Sequence, residues 1–299
     1  MAVGYKLAAR VVSTMAKELA KPGSPVVLDV ASAGGEPAIT IAKVVPSATV
    51  HATDVAPMMV ELIRKRVAEA GVSNVKAGVA DGESLTEFED ASVDAVTCTW
   101  GLMFMPDWIR AIQEFCRVLR VDGMVLVTLW ERMEGSHFQR MGAVLEKLNP
   151  GFAPLIDPEV LGDDGGAAVV KEMEAAGLTN VVVKKFSVPV VLPAEAGALE
   201  IWEQCALPTP LAQTLKALEA KGRTEVHKEA LEIFKKQMDE DWAAGRKPLG
   251  LETLCSKSDL STSAPLLQRV FYMRALLVVG RKGVFFFVLV NGKMSYLEQ

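Results

Sequence analysis

Between residues 26 and 130, short valine-rich runs alternate with amphipathic stretches, and this alternation constrains the fold more than any other feature. The runs are Val26–Val30, Thr49–Thr53, Val75–Val79, Val93–Thr99 and Met124–Trp130. They are short and nearly continuous in apolar residues, as strands buried on both faces are. Between them, Glu36–Val45 reads as a helix. Pro57–Ala70 carries Met58, Leu62, Ile63 and Val67 at helical spacing and stops at Gly71. Asp107 reads as the N-cap of a third helix, with Trp108, Ile109, Ile112, Phe115 and Leu119 facing inward and Asp122-Gly123 as the turn after it. Repeated strand–helix–strand units predict an α/β fold, a doubly wound parallel sheet with right-handed crossovers.

The second half has a different rhythm. Gly166–Ala176 reads as a helix and Val181–Val191 as a long strand. Residues 194–242 read mostly as helices with breaks at Pro208, Pro210 and Gly222, and strand character returns at Arg269–Gly280. The expected division is a core over 1–191, a helical cap over 192–268, a final core strand over 269–282 and a tail over 283–299. The apolar run Val284–Val290 in that tail reads equally as an extra strand, the seam of a homodimer or an appendage.

Charge removes several functions. With 37 acidic and 32 basic residues the net charge is -5, and no basic stripe interleaves with aromatics, so nucleic acid is not the expected partner. Val270–Val290 is interrupted by Arg274, Arg281 and Lys282, which argues against a membrane span. Cys98, Cys116, Cys205 and Cys255 have no zinc-type spacing, so no metal is expected, and they read as reduced, buried thiols of a cytoplasmic protein. The first 20 residues lack a signal-peptide core; their basic, amphipathic character fits a mitochondrial presequence or, more simply, a leading helix.

Ligands of an open parallel sheet bind at the carboxyl ends of its strands. After the first run comes Asp29-Val30-Ala31-Ser32-Ala33-Gly34-Gly35, small residues that let a ligand approach the backbone. After the second comes Asp54, placed to accept hydrogen bonds from ribose hydroxyls. Asp81-Gly82 comes after the third, and Thr99-Trp100-Gly101-Leu102-Met103-Phe104 after the fourth. A nicotinamide dinucleotide and S-adenosylmethionine both suit such a series. The dinucleotide fingerprint needs G-x-G-x-x-G for its pyrophosphate, which the first loop lacks. The carboxylate of Asp29 suits a cationic sulfonium cofactor better, so S-adenosylmethionine is favoured.

Five stretches, VVLDVASAGGEPAITIA, VHATDVAPMMVELIRKRV, VADGESL, FEDASVDAVTCTWGLMFMPD and RVLRVDGMVLVTLWE, resemble the class I methyltransferases. Among these the similarity is to the ubiquinone/menaquinone-biosynthesis group. LLVVGRK, residues 276–282, resembles that family's last strand. The resemblance implies a Rossmann-like seven-stranded sheet whose last strand is antiparallel, with a helical cap inserted before it. It implies S-adenosylmethionine as cofactor, with Asp29, Ala31, Ser32, Ala33, Gly34 and Gly35 along its methionine part and Asp54 on the ribose. Val55 and Met59 would flank the adenine, Asp81 and Gly82 would meet its polar edge, and Thr99 and Trp100 would lie near the sulfonium. The sequence departs from the family at Ala31 and Ala33, where glycine is usual, and in a short N-terminal arm whose only tyrosine is Tyr5.

The expected reaction is in-line methyl transfer to a small, apolar organic molecule. Candidate acceptor contacts are Met103, Phe104 and Glu131, and the candidate base is His137, which reads more readily as a solvent-facing loop residue. His51 reads as a packed strand residue and His227 as a surface one. In the cap, Trp202, Leu207, Leu211, Leu215 and Phe234 read as core first and acceptor wall second. Two other functions stay open: a binding or assembly protein that keeps the fold without catalysis, and a nicotinamide-dependent oxidoreductase.

Overall fold

The computed structural model describes residues 23–130, 137–150, 166–193, 199, 202, 210–243, 268–282, 286–290 and 293–297. Strands β1 (Val26–Val30), β2 (Thr49–Asp54), β3 (Val75–Val79), β4 (Val93–Thr99), β5 (Leu119–Trp130), β6 (Leu178–Pro193) and β7 (Gln268–Lys282) form one seven-stranded sheet in the order β3-β2-β1-β4-β5-β7-β6. The five strands from β3 to β5 pair in parallel. β7 runs antiparallel to β5, with Leu126 opposite Val279 and Thr128 opposite Leu277. The order reverses between β1 and β4, which opens the sheet at the carboxyl ends of those two strands. The expected mixed sheet with an antiparallel last strand is what forms.

Position in the sheet explains which runs are apolar throughout. Val27, Leu28, Val30, Val93, Ala95, Val96, Val125, Leu126 and Val127 sit on central strands and are buried. The edge strand β3 mixes half-buried and exposed residues, and Val79 is half exposed. Helices α1 (Ala38–Val44), α2 (Pro57–Ala70) and α3 (Trp108–Val118) connect the strands. α2 stops at Gly71, whose φ of 66° is the left-handed helix cap that favours glycine. α3 starts where Asp107 accepts a hydrogen bond from the Arg110 amide at 3.0 Å.

The structure corrects several boundaries. The inward stripe of α2 is set by Val60 and Ile63, and Met58 is exposed. Ile109 is exposed too: it lies one residue past Trp108, about 100° around the helix from the buried face. Asp122-Gly123 does not separate helix from strand. It lies within β5, where register with β4 jumps from Val93↔Leu119 to Ala95↔Met124, so the strand starts five residues before Met124. Pro210, expected at a break between helices, is the first residue of α6 (Pro210–Ala220). Proline suits a first turn because its missing N–H has no partner there.

The chain divides into two compact units. One comprises Met1–Glu131, Ile156–Phe186 and Ala275–Gln299, and includes α5 (Ala167–Ala175). The other comprises Arg132–Leu155 and Ser187–Arg274, with α4 (His137–Leu148), α6 and α7 (Val226–Ala243). The second unit has its own core of Met141, Val144, Leu145, Trp202, Leu215, Ala230 and Phe234. Trp202 and Phe234 meet with ring centroids 5.3 Å apart. Three of the five expected cap residues therefore serve packing within this unit. Leu207 lies outside the described residues, as does the side chain of Leu211.

The apolar run near the C-terminus forms β8 (Phe286–Val290), paired antiparallel with β9 (Lys293–Leu297). Val290 faces Lys293 across the two-residue sequence Asn291-Gly292, the dipeptide that tight hairpins prefer. Among the described residues no helix is long and apolar enough to cross a membrane.

Candidate functional site

Asp29 anchors the site from below. It is fully buried at the end of β1, and its two carboxylate oxygens accept hydrogen bonds from the Ser32 and Thr97 hydroxyls, the latter at 2.6 Å. Burial pushes its carboxyl up to about 7, although those hydroxyls and the Ala38 amide favour the ionised form. Ser32 also donates from its amide to the Thr53 carbonyl at 2.8 Å, which ties the first loop to the end of β2.

Asp54 joins the first and second loops. One carboxylate oxygen accepts from the Ala33 amide and the other from the Ala56 amide, each at 3.0 Å. A carboxylate has about four lone-pair sites, so two stay open for ligand hydroxyls. Val55 beside it is exposed, and Met59 is half-buried one turn into α2.

The first loop is held in a conformation alanine resists. Ala31 has φ 56° and Ala33 φ 47°, with Gly35 at 89°. Left-handed backbone costs an L-residue with a Cβ about 1–2 kcal/mol, and such strain concentrates at ligand sites. Ala33→Gly should therefore raise stability by about 1 kcal/mol, read as a melting-temperature rise of about 2 °C. A fall in melting temperature would show that Ala33 is not strained.

The third and fourth loops are stitched together. Asp81 is exposed, and its carboxylate accepts from the Glu83 amide at 3.0 Å. Gly82 is buried, and a Cβ there would lie 2.7 Å from Met105 Cε and 2.9 Å from Val30 Cγ1. Arg110 donates to the Glu83 carbonyl at 2.8 Å, and the Glu83 carboxylate accepts from the Asp107 amide at 3.1 Å. At the end of β4, Trp100 has φ 55°, and its amide donates to Thr128 Oγ1 at 3.0 Å. Thr99 Oγ1 is buried with no hydrogen-bond partner among the described residues. Met103 is in the core and Phe104 is half-buried.

The first loop, Asp29, Asp54, Asp81-Gly82 and Thr99-Trp100 thus all stand at the carboxyl ends of β1 to β4. Glu131 lies outside the described residues. His137 begins α4, in the second unit, and its side chain is likewise outside them. His51 is half-buried, its ring edge-on to Phe88 at 5.2 Å, and burial, then the charge of Lys76, holds its pKa low. It lines a groove of about 510 Å³ with Thr53, Lys76, Gly78 and Phe88, on the part of β2 and β3 that residues 80–92 leave without a helix. His227 stands 3.6 Å from Glu219 on a helix surface. Cys98 is buried, and burial with the nearby Asp29 charge pushes its thiol up to about 12, an inert state. Cys116 is buried as well, and Cys205 and Cys255 lie outside the described residues. Among the described residues no cluster of three His, Cys, Asp or Glu offers a metal site.

Three residues the sequence did not single out are part of this construction. Thr97 and Thr128 are fully buried hydroxyls inside apolar strands, and that polarity in VTCT and VLVTLW was the available signal. Arg66 donates to the Gly34 carbonyl at 2.9 Å, and nothing in the basic run Arg64-Lys65-Arg66 distinguishes it.

A methyltransferase-domain family model matches residues 27–123. A demethylmenaquinone methyltransferase of Deinococcus radiodurans is 29% identical over 147 residues, 49% of this chain and 58% of that protein. The chain thus spans under two thirds of that relative's length. A demethylmenaquinone methyltransferase of Staphylococcus aureus is 30% identical over 172 residues, 54% of this chain and 70% of that protein. The crystal structure of the YcgJ protein from Bacillus subtilis shares the fold, with a TM-score of 0.52 at 16% identity over 92% of this chain and 99% of that one. A match at 30% identity to seven tenths of a demethylmenaquinone methyltransferase is a family relationship, and the chain belongs to the class I S-adenosylmethionine-dependent methyltransferases, in the group of the ubiquinone/menaquinone-biosynthesis enzymes.

Proposed function

We propose that the protein transfers a methyl group from S-adenosylmethionine to a small, apolar organic acceptor in the cytoplasm. The observation that carries this reading is Asp54: buried, fixed by two backbone amides, and still holding lone pairs for a ribose. The residues fit the cofactor elsewhere too. The first loop offers backbone and small side chains to the methionine part. Val55 and Met59 would flank the adenine, and Asp81 and Gly82 would meet its edge. The orphan hydroxyl of Thr99 lies beside Trp100, where the sulfonium would stand.

The bound cofactor supplies an electrophilic methyl carbon, so the chain needs no nucleophile of its own. Its residues align the acceptor and exclude water. Phe104 and Trp100 give the fourth loop an apolar, aromatic character that suits an aromatic or quinone-like acceptor, the class that the relatives' names carry. Glu131 remains a candidate acceptor contact, whereas Met103 is packed in the core. A general base is required only if the acceptor must lose a proton, and His137 is the candidate. The free, buried Cys98 and Cys116 support a reducing, cytoplasmic setting.

The test is transfer of labelled methyl from S-adenosylmethionine to a panel of demethylated quinones and simpler phenols, with Asp54→Ala beside the parent. Hydrogen bonds to a charged group contribute about 1.5–3 kcal/mol each. Asp54→Ala should weaken cofactor binding by about 100-fold, from the ribose contacts and the loosened first loop together. Binding of S-adenosylhomocysteine without transfer to any acceptor would favour the binding-protein reading instead.

A further inference from the structure

Arg66 lies outside the loops at the strand ends, yet its guanidinium is built into one of them. It donates from Nη1 to the Gly34 carbonyl at 2.9 Å, from 32 residues further along the chain. A Cβ at Gly34 would stand 1.8 Å from Nη1 and 2.9 Å from Cζ, so the guanidinium fills the space a side chain would take. Arg66 is half-buried and forms no ion pair among the described residues, in contrast to Arg64 and Lys65 beside it. Its charge is therefore directed at this one carbonyl, and a hydrogen bond from a charged donor is about twice as strong as a neutral one.

The loop has need of that bond. Ala33, immediately before Gly34, is held at φ 47°, and Ala31 at 56°. The Ser32, Ala33 and Gly35 amides are each bonded, to Thr53, Asp54 and Ser32. The carbonyl of Gly34 takes its bond from Arg66. The plane of the Gly34–Gly35 peptide is set by ψ of Gly34 and φ of Gly35, two residues whose backbone is the freest to turn, and Arg66 opposes that turn.

We propose that Arg66 is a positioning residue of the cofactor site: it holds the Gly34 carbonyl so that the first loop keeps its cofactor-binding shape before the cofactor arrives. This role rests on the reading of the site as one for S-adenosylmethionine. When only a fraction of molecules is competent, the apparent dissociation constant rises by the inverse of that fraction. Loss of Arg66 should thus weaken cofactor affinity and raise KM while sparing kcat at saturation.

The test measures S-adenosylhomocysteine affinity of the full chain by calorimetry, and KM and kcat with an active acceptor. Arg66→Gln should weaken binding about tenfold with kcat within about twofold, and Arg66→Lys should recover part of the affinity. Gly34→Ala should reproduce the loss by pushing the guanidinium off, and it serves where Arg66→Gln does not fold. A merely structural role would lower the melting temperature and leave affinity unmoved. Unchanged affinity in both Arg66→Gln and Gly34→Ala, beside a parent that binds, overturns this role alone. A parent that does not bind S-adenosylhomocysteine overturns the cofactor reading and this role with it.

Discussion

Asp29→Asn should be more stable than the parent at pH 8, and the advantage should fade as the pH falls to 5. Asp29 is fully buried, its oxygens meet only neutral donors, and burial lifts its pKa from 3.8 to about 7. Because the folded-state pKa lies above the unfolded one, the folded chain binds the proton more tightly. The stabilisation from that proton is complete below about pH 4 and is lost as the pH rises through about 7. Three pH units correspond to about 4 kcal/mol. Asparagine cannot ionise, and the Ser32 and Thr97 hydroxyls can rotate to match its oxygen and its amide. Urea midpoints at pH 5, 6, 7 and 8 should show the gap widening by about 2–3 kcal/mol over that range. A constant gap would mean that Asp29 is ionised throughout. The same variant should bind the cationic cofactor less tightly, a trade of function for stability common at buried functional charges.

Gly101→Ala should be destabilising out of proportion to one methyl group. A Cβ there would lie 2.6 Å from Ala31 Cβ and 2.9 Å from Cys98 Sγ. Neither neighbour can swing aside, since the Ala31 Cβ is fixed to the backbone and Cys98 is buried in β4. The backbone itself would accept alanine, because φ is -96°. The effect is therefore steric, and overpacking of this kind costs about 1–3 kcal/mol. It should also part the first and fourth loops and weaken cofactor binding about tenfold, as a loss of about 1.4 kcal/mol does. Gly78→Ala is the control: no atom lies within 4 Å of the added Cβ, and stability should stay within about 0.5 kcal/mol. Adding Ala31→Gly to Gly101→Ala removes the closer clash and should restore part of the loss. Equal melting temperatures for Gly101→Ala and the parent would contradict the close packing of the two loops.

The parallel half of the sheet was legible because burial on both faces writes itself as unbroken apolar runs. Each of the five core strands was located from such a run, and Asp54 and Asp81 stood out as the carboxylates at the ends of two of them. Where one face opens to solvent the pattern weakens, as in β3, and helix phase becomes ambiguous, as with Met58 and Ile109. The β5 boundary was misplaced because Asp-Gly signals a turn, whereas here it sits in an irregularity that the pairing with β4 absorbs. The first loop was legible as a site but not as a strained one. Alanine at the glycine positions of the resemblance left φ undecided, and only the structure shows Ala31 and Ala33 in the left-handed region. Arg66 was illegible for a plainer reason: a hydrogen bond across 32 positions leaves no local trace.

A site for S-adenosylmethionine between the ends of β1 and β2 is tested most directly by ligand-induced stabilisation. The melting temperature of the parent and of Asp54→Ala is measured with S-adenosylhomocysteine, S-adenosylmethionine and NAD. A ligand that binds only the folded state at a hundredfold excess over its dissociation constant stabilises by about 2.7 kcal/mol. The expected result is a rise with both adenosyl ligands, none with NAD, and loss of the rise in Asp54→Ala. Protection by NAD alone, or equal protection of parent and variant, would contradict the site.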